Sequence, residues 1–212
     1  MQRLTNALDR ISNWMQQYRP EFISLLQVGL KAEQIDDKLK NLPFQFDENF
    51  YELYGWHNGS GGYGLKINQV EFFPGYLYYS LEEAIEKYKE FMEIENNVRN
   101  FYQEKTQFSK ESCDFEEWSS YWFPIFHDDG QCYFAIFSEN SEDKVPIGLY
   151  APESTEPEII YDDLTTMIMT IAECYESGAY YIDEEGFLEE DELKVAQIIR
   201  KYNPGNNRTA LD

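Results

Sequence analysis

Apolar residues recur at three- and four-residue spacing from the start of the chain. Leu4, Leu8, Ile11, Met15 and Tyr18 fall on one face, which predicts an amphipathic helix. Pro20 closes it, or opens the next helix as a first-turn residue. Phe22, Leu25 and Leu26 carry the apolar face on to Gly29, and Ile35, Leu39 and Leu42 form a third stripe. Leu42-Pro43 ends that pattern. Asp47 is then placed to N-cap a short helix, with Phe50, Leu53 and Tyr54 on one face and Trp56 behind them. Asn58-Gly59 is expected to stop it, since glycine accepts the left-handed conformation of a helix C-terminus.

The pattern then turns to strands. Leu65, Ile67 and Val70 are expected to start a sheet, Pro74-Gly75 to turn, and Tyr76 to Tyr79 to form a second extended run. Ser80-Leu-Glu-Glu83 is a capping box for a helix traced by Leu81, Ile85, Tyr88 and Met92. Gln103 to Glu117 is polar and weakly patterned, and reads as a loop or a ragged helix end. Asp129-Gly130 lies between two aromatic runs within Trp118 to Phe137, a hairpin signal. Pro124 suggests a bulge or an edge position there. Val145 to Tyr150 and Ile159 to Tyr161 read as further strands. Asp162 or Asp163 caps a helix carrying Leu164, Met167, Ile168, Ile171 and Tyr175, and Gly178 ends it. Ala179 to Ile182 reads as a short strand. Leu193, Ala196, Ile199 and Tyr202 trace a last helix before Pro204-Gly205.

The run Leu42-Pro43, an aromatic helix, then Asn58-Gly59 resembles the hallmark of the SUKH superfamily. The family includes fungal cell-wall-assembly regulators and many bacterial immunity proteins. Pro124-Ile125 with Asp129-Gly130, and Trp122 just before, resemble its hairpin. The resemblance covers about residues 25 to 178. It implies an α+β fold: a mostly antiparallel sheet of about five to six strands with N-terminal helices, one central helix and C-terminal helices packed on it. A single domain is expected over residues 1–205, with helical extensions at 1–30 and 179–205 and a frayed tail at 206–212. The implied role is non-enzymatic: a protein-binding module, regulatory or toxin-neutralising. Pro43, Gly59, Pro124 and Gly130 read as turns and caps, so the resemblance supplies no partner-binding residue.

Composition narrows the partner. The formal net charge is −23 over 212 residues. Such a chain repels nucleic-acid phosphates and anionic membranes and attracts basic proteins. The competing reading is an acidic structural subunit whose charge only keeps it soluble. Apolar residues are 42% and aromatics 17%, enough for a packed core. No run is long and apolar enough to span a membrane, and the amphipathic N-terminus lacks the apolar region of a secretory signal. Cys113, Cys132 and Cys174 are widely spaced and form no zinc pattern. A cytoplasmic protein with free thiols is expected.

Candidate chemistry is sparse. Gly59 to Gly64 reads GSGGYG, but the helix is expected before it and the strand after, the reverse of a dinucleotide site. His57 falls at a helix end. His127, with Asp128 and Asp129, is the one candidate acid/base site, against the commoner reading of a turn histidine facing water. Asp183 to Glu192 is acidic, yet an EF-hand loop needs glycine at position six and Leu188 stands there. That run is expected to be a solvated turn and helix start. No catalytic, cofactor-binding or metal-binding residue is assigned, and no cofactor is expected. The strand aromatics, Tyr76, Tyr78, Tyr79, Tyr121, Trp122, Phe123, Tyr133, Phe134 and Phe137, are expected mostly in the core.

Overall fold

A computed structural model describes residues 2–61, 65, 67–105, 119–128, 130–138, 144–151 and 158–205. The chain opens with α1 (Gln2–Tyr18), α2 (Pro20–Leu25), β1 (Leu26–Val28), α3 (Ala32–Leu39), α4 (Glu48–Trp56) and β2 (His57–Ser60). A short α5 (Ile67–Val70) leads into β3 (Glu71–Phe73), β4 (Tyr76–Tyr78) and the long α6 (Leu81–Lys105). Then come β5 (Trp122–His127), β6 (Cys132–Ile136), β7 (Ile147–Tyr150) and β8 (Glu158–Tyr161). The chain ends in α7 (Leu164–Ser177), β9 (Tyr180–Ile182), β10 (Leu188–Glu190) and α8 (Glu192–Tyr202).

β3 to β8 form one six-stranded antiparallel sheet whose spatial order follows the chain, and β1–β2 and β9–β10 are separate two-stranded ribbons. The fold is α+β, as the resemblance implies. One contiguous apolar core runs from Leu4 to Ile199. The α1 stripe is buried as its spacing predicts, with Leu4, Leu8, Ile11 and Met15 at 0–1% exposure. Tyr18 at the helix end stays in water. Against the other sheet face, α6 lays Phe91 and Met92 over Cys132 and Phe134. Aromatic rings fill much of the centre: Phe44 stacks on Phe137 at 4.3 Å, and Phe46 meets Phe123 edge-on at 5.2 Å.

Local signals account for most boundaries. Asp47 accepts from the Asn49 and Phe50 N–H groups, capping α4. Asp163, of the two candidates, caps α7 through the Thr166 N–H at 2.8 Å. Gly178 takes the left-handed conformation at its end. Pro124 coincides with a bulge in β5, an interior strand, where its missing N–H is tolerated.

The sheet edge at β3 is closed by side chains. The Arg19 guanidinium donates to the Glu71 carbonyl at 2.9 Å, and the Tyr175 hydroxyl donates to the Phe72 carbonyl. Arg19 is 8% exposed and Glu71 4%, and their charges lie 3.8 Å apart. Burial pushes the Glu71 carboxyl above its ordinary range, while the Gly75 N–H, Arg19 and the Leu188 N–H pull it back in part.

Several expectations are corrected. Ile67 to Val70 is helical, and the sheet begins at Glu71. Asn58-Gly59 does not simply stop a helix: His57–Ser60 is a strand, paired with Leu26–Val28 from what read as a helical stripe. GSGGYG therefore starts inside a strand, with a short helix downstream. That strand belongs to a two-stranded antiparallel ribbon, so the parallel βαβ setting of a dinucleotide site is still missing. The acidic run after Asp183 is an exposed turn and a helix start as expected, but β10 lies between them and pairs with β9, and its inward Leu188 supplies the strand signal that the acids mask. On α8 the buried face is Val195, Ile198 and Ile199, whereas Leu193 is 65% exposed. α6 continues to Lys105, so Gln103 to Lys105 belong to the helix end rather than to a loop, and the rest of the stretch expected as a loop or a ragged helix end lies outside the described residues. Cys113, Asp129 and the tail from residue 206 also lie outside them.

Candidate functional site

The N-terminus of α6 is where the chain's parts converge. The Ser80 N–H donates to Glu83 Oε2 at 2.8 Å and the Glu83 N–H to Ser80 Oγ at 3.2 Å, the expected capping box. A second cap comes from far away in sequence. Asn58 Oδ1 accepts the Leu81 N–H at 2.9 Å, and its Nδ2 donates to Glu82 Oε2 at 2.9 Å. Lys38 pairs with the same carboxylate. Burial acts to raise the Glu82 carboxyl, but the hydrogen bonds from Asn58, Lys38 and its own backbone N–H, together with the Lys38 charge, outweigh it and hold it below its usual range. Ser60 Oγ takes the Tyr78 N–H at 3.0 Å and is within 3.1 Å of the Tyr78 carbonyl. The Tyr78 hydroxyl donates to the His57 carbonyl at 2.9 Å. Gly59, at φ +86°, lets β2 approach so closely that a Cβ there would meet Ser80 N at 2.3 Å.

This clamp shapes a groove of about 400 Å³ between α6, β4–β5 and the segment after β2. Its floor carries the Tyr79 and His127 rings, stacked at 3.9 Å and 12°. Glu83, Glu86, Lys87 and Glu90 line the α6 side. Lys87 is engaged by Glu90 at 3.0 Å and lies 5.1 Å over the Phe91 ring. Burial lowers the His127 pKa, and Lys87 adds to that, against opposing contributions from the Asp128 backbone, Glu83 and the Asp128 charge. The imidazole is therefore biased to its neutral form. A floor of neutral rings beside a glutamate-rich wall suits a cationic group on an apolar stem.

His127 does not face water from a turn. It ends β5 and is half-buried on Tyr79. Asp128 spends a carboxylate oxygen on the Gln131 N–H at 2.9 Å, closing the turn rather than orienting the imidazole. His57 lies at the C-cap of α4, its Nδ1 2.9 Å from the Gln27 carbonyl, well separated in role from His127. Among the described residues no three His, Cys, Asp or Glu side chains are placed to share a metal ion. No helix among them is long and apolar enough to cross a membrane. Cys132 and Cys174 are free thiols, and burial pushes the Cys174 thiol up to about 12. Asn58 is the residue that local reading misses. Its capping role depends on a helix that starts 23 residues later, and no local spacing rule reports it.

No curated protein matches the chain. A family model described as SMI1 / KNR4 family (SUKH-1) matches residues 29–170, which include Asn58, Gly59 and every residue named in the groove. α1, α8 and the β9–β10 ribbon lie outside the match. With about two thirds of its length so matched, the chain belongs to the SMI1 / KNR4 family (SUKH-1), a family of regulatory and immunity-type modules.

Proposed function

We propose that this chain is a non-enzymatic protein-binding module, regulatory or toxin-neutralising, whose partner is a basic protein. The groove beside α6 carries the reading. A lysine or arginine of the partner lays its stem on the Tyr79 and His127 rings and brings its charge to Glu86 and Glu90. The net charge of −23 draws such a partner in and speeds the encounter at low salt. Either biological role uses the same surface, a regulator to hold a client and an immunity protein to cover a cationic active site. The same reading places the protein in the cytoplasm, where Cys132 and Cys174 stay reduced.

The test is capture of partners by the tagged protein from a lysate of its own source. It is run at low salt and again at about 0.5 M, where the Debye length falls to a few Å. The expected result is a stoichiometric basic protein that is lost at high salt and weakened by Glu86→Gln/Glu90→Gln. No stoichiometric partner at either salt, or a partner held equally at both, overturns the reading.

A further inference from the structure

The most lopsided charge in the chain extends beyond the family-matched residues. From Val145 to Leu193 the sequence holds 14 Asp and Glu and no Lys, Arg or His. Some of these acids are matched from elsewhere: Glu176 by Arg10, Glu173 by Lys201 and Asp191 by Lys194. The β9–β10 ribbon presents its acids differently. Tyr180 and Leu188 point inward and are buried, whereas Tyr181 and Glu189 face each other across the ladder on the outer side. Phe187, two residues before Glu189, follows on that side. Tyr181 is 44% exposed and Phe187 40%. Glu184, Glu185 and Glu189 are exposed on the same hairpin, Glu189 directly opposite Tyr181. The turn is well held: Asp183 Oδ1 accepts the Glu185 N–H at 2.9 Å and the Phe187 N–H at 2.8 Å.

We propose that the outer face of the β9–β10 ribbon is a docking surface for an arginine- or lysine-bearing segment of a basic protein, an inference that rests on the basic-partner reading above. The rings offer their faces to a guanidinium or ammonium, and the flanking carboxylates take its N–H donors. Ordered aromatics with few rotamers are the side chains that anchor interfaces. A second copy of this chain is a poor occupant, because a two-fold contact brings the same acids against one another.

The probe is fluorescein-labelled octa-arginine, titrated by anisotropy into the full chain at about 50 mM salt, where surface charges are weakly screened. Tyr181→Ser/Phe187→Ser keeps the charge and the inward residues. It is expected to weaken binding roughly tenfold with the salt dependence unchanged. Glu184→Gln/Glu185→Gln/Glu189→Gln is expected to weaken binding and to flatten the salt dependence. Affinity of the ring variant within about twofold of the parent, or loss of binding confined to Glu86→Gln/Glu90→Gln, overturns the ribbon proposal and leaves the basic-partner reading standing. Failure of the parent chain to bind at low salt, or binding indifferent to salt, takes both down. A dimer in sedimentation that the ring variant abolishes assigns the ribbon to a second copy and likewise overturns the proposal.

Discussion

Gly59→Ala tests the clamp directly, and Gly75→Ala is its internal control. Both glycines sit at positive φ, +86° and +79°. An L-residue pays about 1–2 kcal/mol to adopt that conformation, so both substitutions carry this term. Around Gly75 nothing lies within 4 Å of an added Cβ. Around Gly59 the Cβ meets Ser80 N at 2.3 Å, Ser80 Cα at 2.6 Å and the Tyr79 carbonyl carbon at 2.8 Å, all of them backbone. Relief to ordinary contact requires a shift of about 1 Å between β2 and the α6 N-terminus, and overpacking of this kind costs about 1–3 kcal/mol. The same shift spoils the Asn58 cap on Leu81, worth about 1 kcal/mol more. Gly75→Ala should therefore cost about 1–2 kcal/mol and Gly59→Ala at least about 3 kcal/mol. In a chain of this length each kcal/mol lowers Tm by about 2–4 °C. Urea unfolding followed by tryptophan fluorescence measures both. Equal losses in the two variants refute the close-approach argument.

Three further predictions follow from buried polar groups. The Tyr54 hydroxyl is buried without a hydrogen-bond partner among the described residues, so Tyr54→Phe should be neutral or stabilise by up to about 1 kcal/mol, whereas Tyr78→Phe, which loses the bond to the His57 carbonyl, should cost about 0.5–1.5 kcal/mol; the reverse order in urea midpoints contradicts the assignment. Arg19→Met strands the buried Glu71 carboxylate and should cost about 3–5 kcal/mol near neutrality. Glu71 already titrates above its ordinary 4.5, so its protonated form is favoured in the folded state. The deficit should shrink as pH falls through that raised value towards 4.5, and a deficit that grows between neutrality and about pH 5 refutes the placement. His127 titrates below 6.5, so the unfolded chain takes up its proton first and the group withdraws stability as pH falls from 6.5 to its folded value. An imidazole NMR titration should give a midpoint below 6.5, and His127→Phe should flatten that part of the acid limb.

Features set by neighbours in sequence were legible before the structure. The Asp47 and Ser80 caps, the Pro74-Gly75 turn, the hairpin at Gly130 and the α1 stripe each rest on residues within one or two turns of each other. What escaped was set by distant partners. Leu26 to Val28 carries a helical stripe but becomes a strand because His57 to Ser60 lies alongside it. Leu193 has the apolar character of a core residue, yet packing turned α8 onto Val195, Ile198 and Ile199. The groove followed the same rule. Its glutamates sat openly in the α6 pattern, but their meeting with His127 and Tyr79 needed β4 and β5 to pair.

The closure of β3 bears on how the chain can be shortened. The family match starts after Arg19 and stops before Tyr175, so trimming to residues 29–170 removes both side chains that occupy the β3 carbonyls. It also strips α1, with Leu4, Leu8, Ile11 and Met15, and cuts α7 in mid-helix. The trimmed chain would present a bare strand edge next to uncovered apolar surface, the combination that invites strands of neighbouring molecules to add on. The segments beyond the family match therefore cover both the β3 edge and the apolar surface beside it.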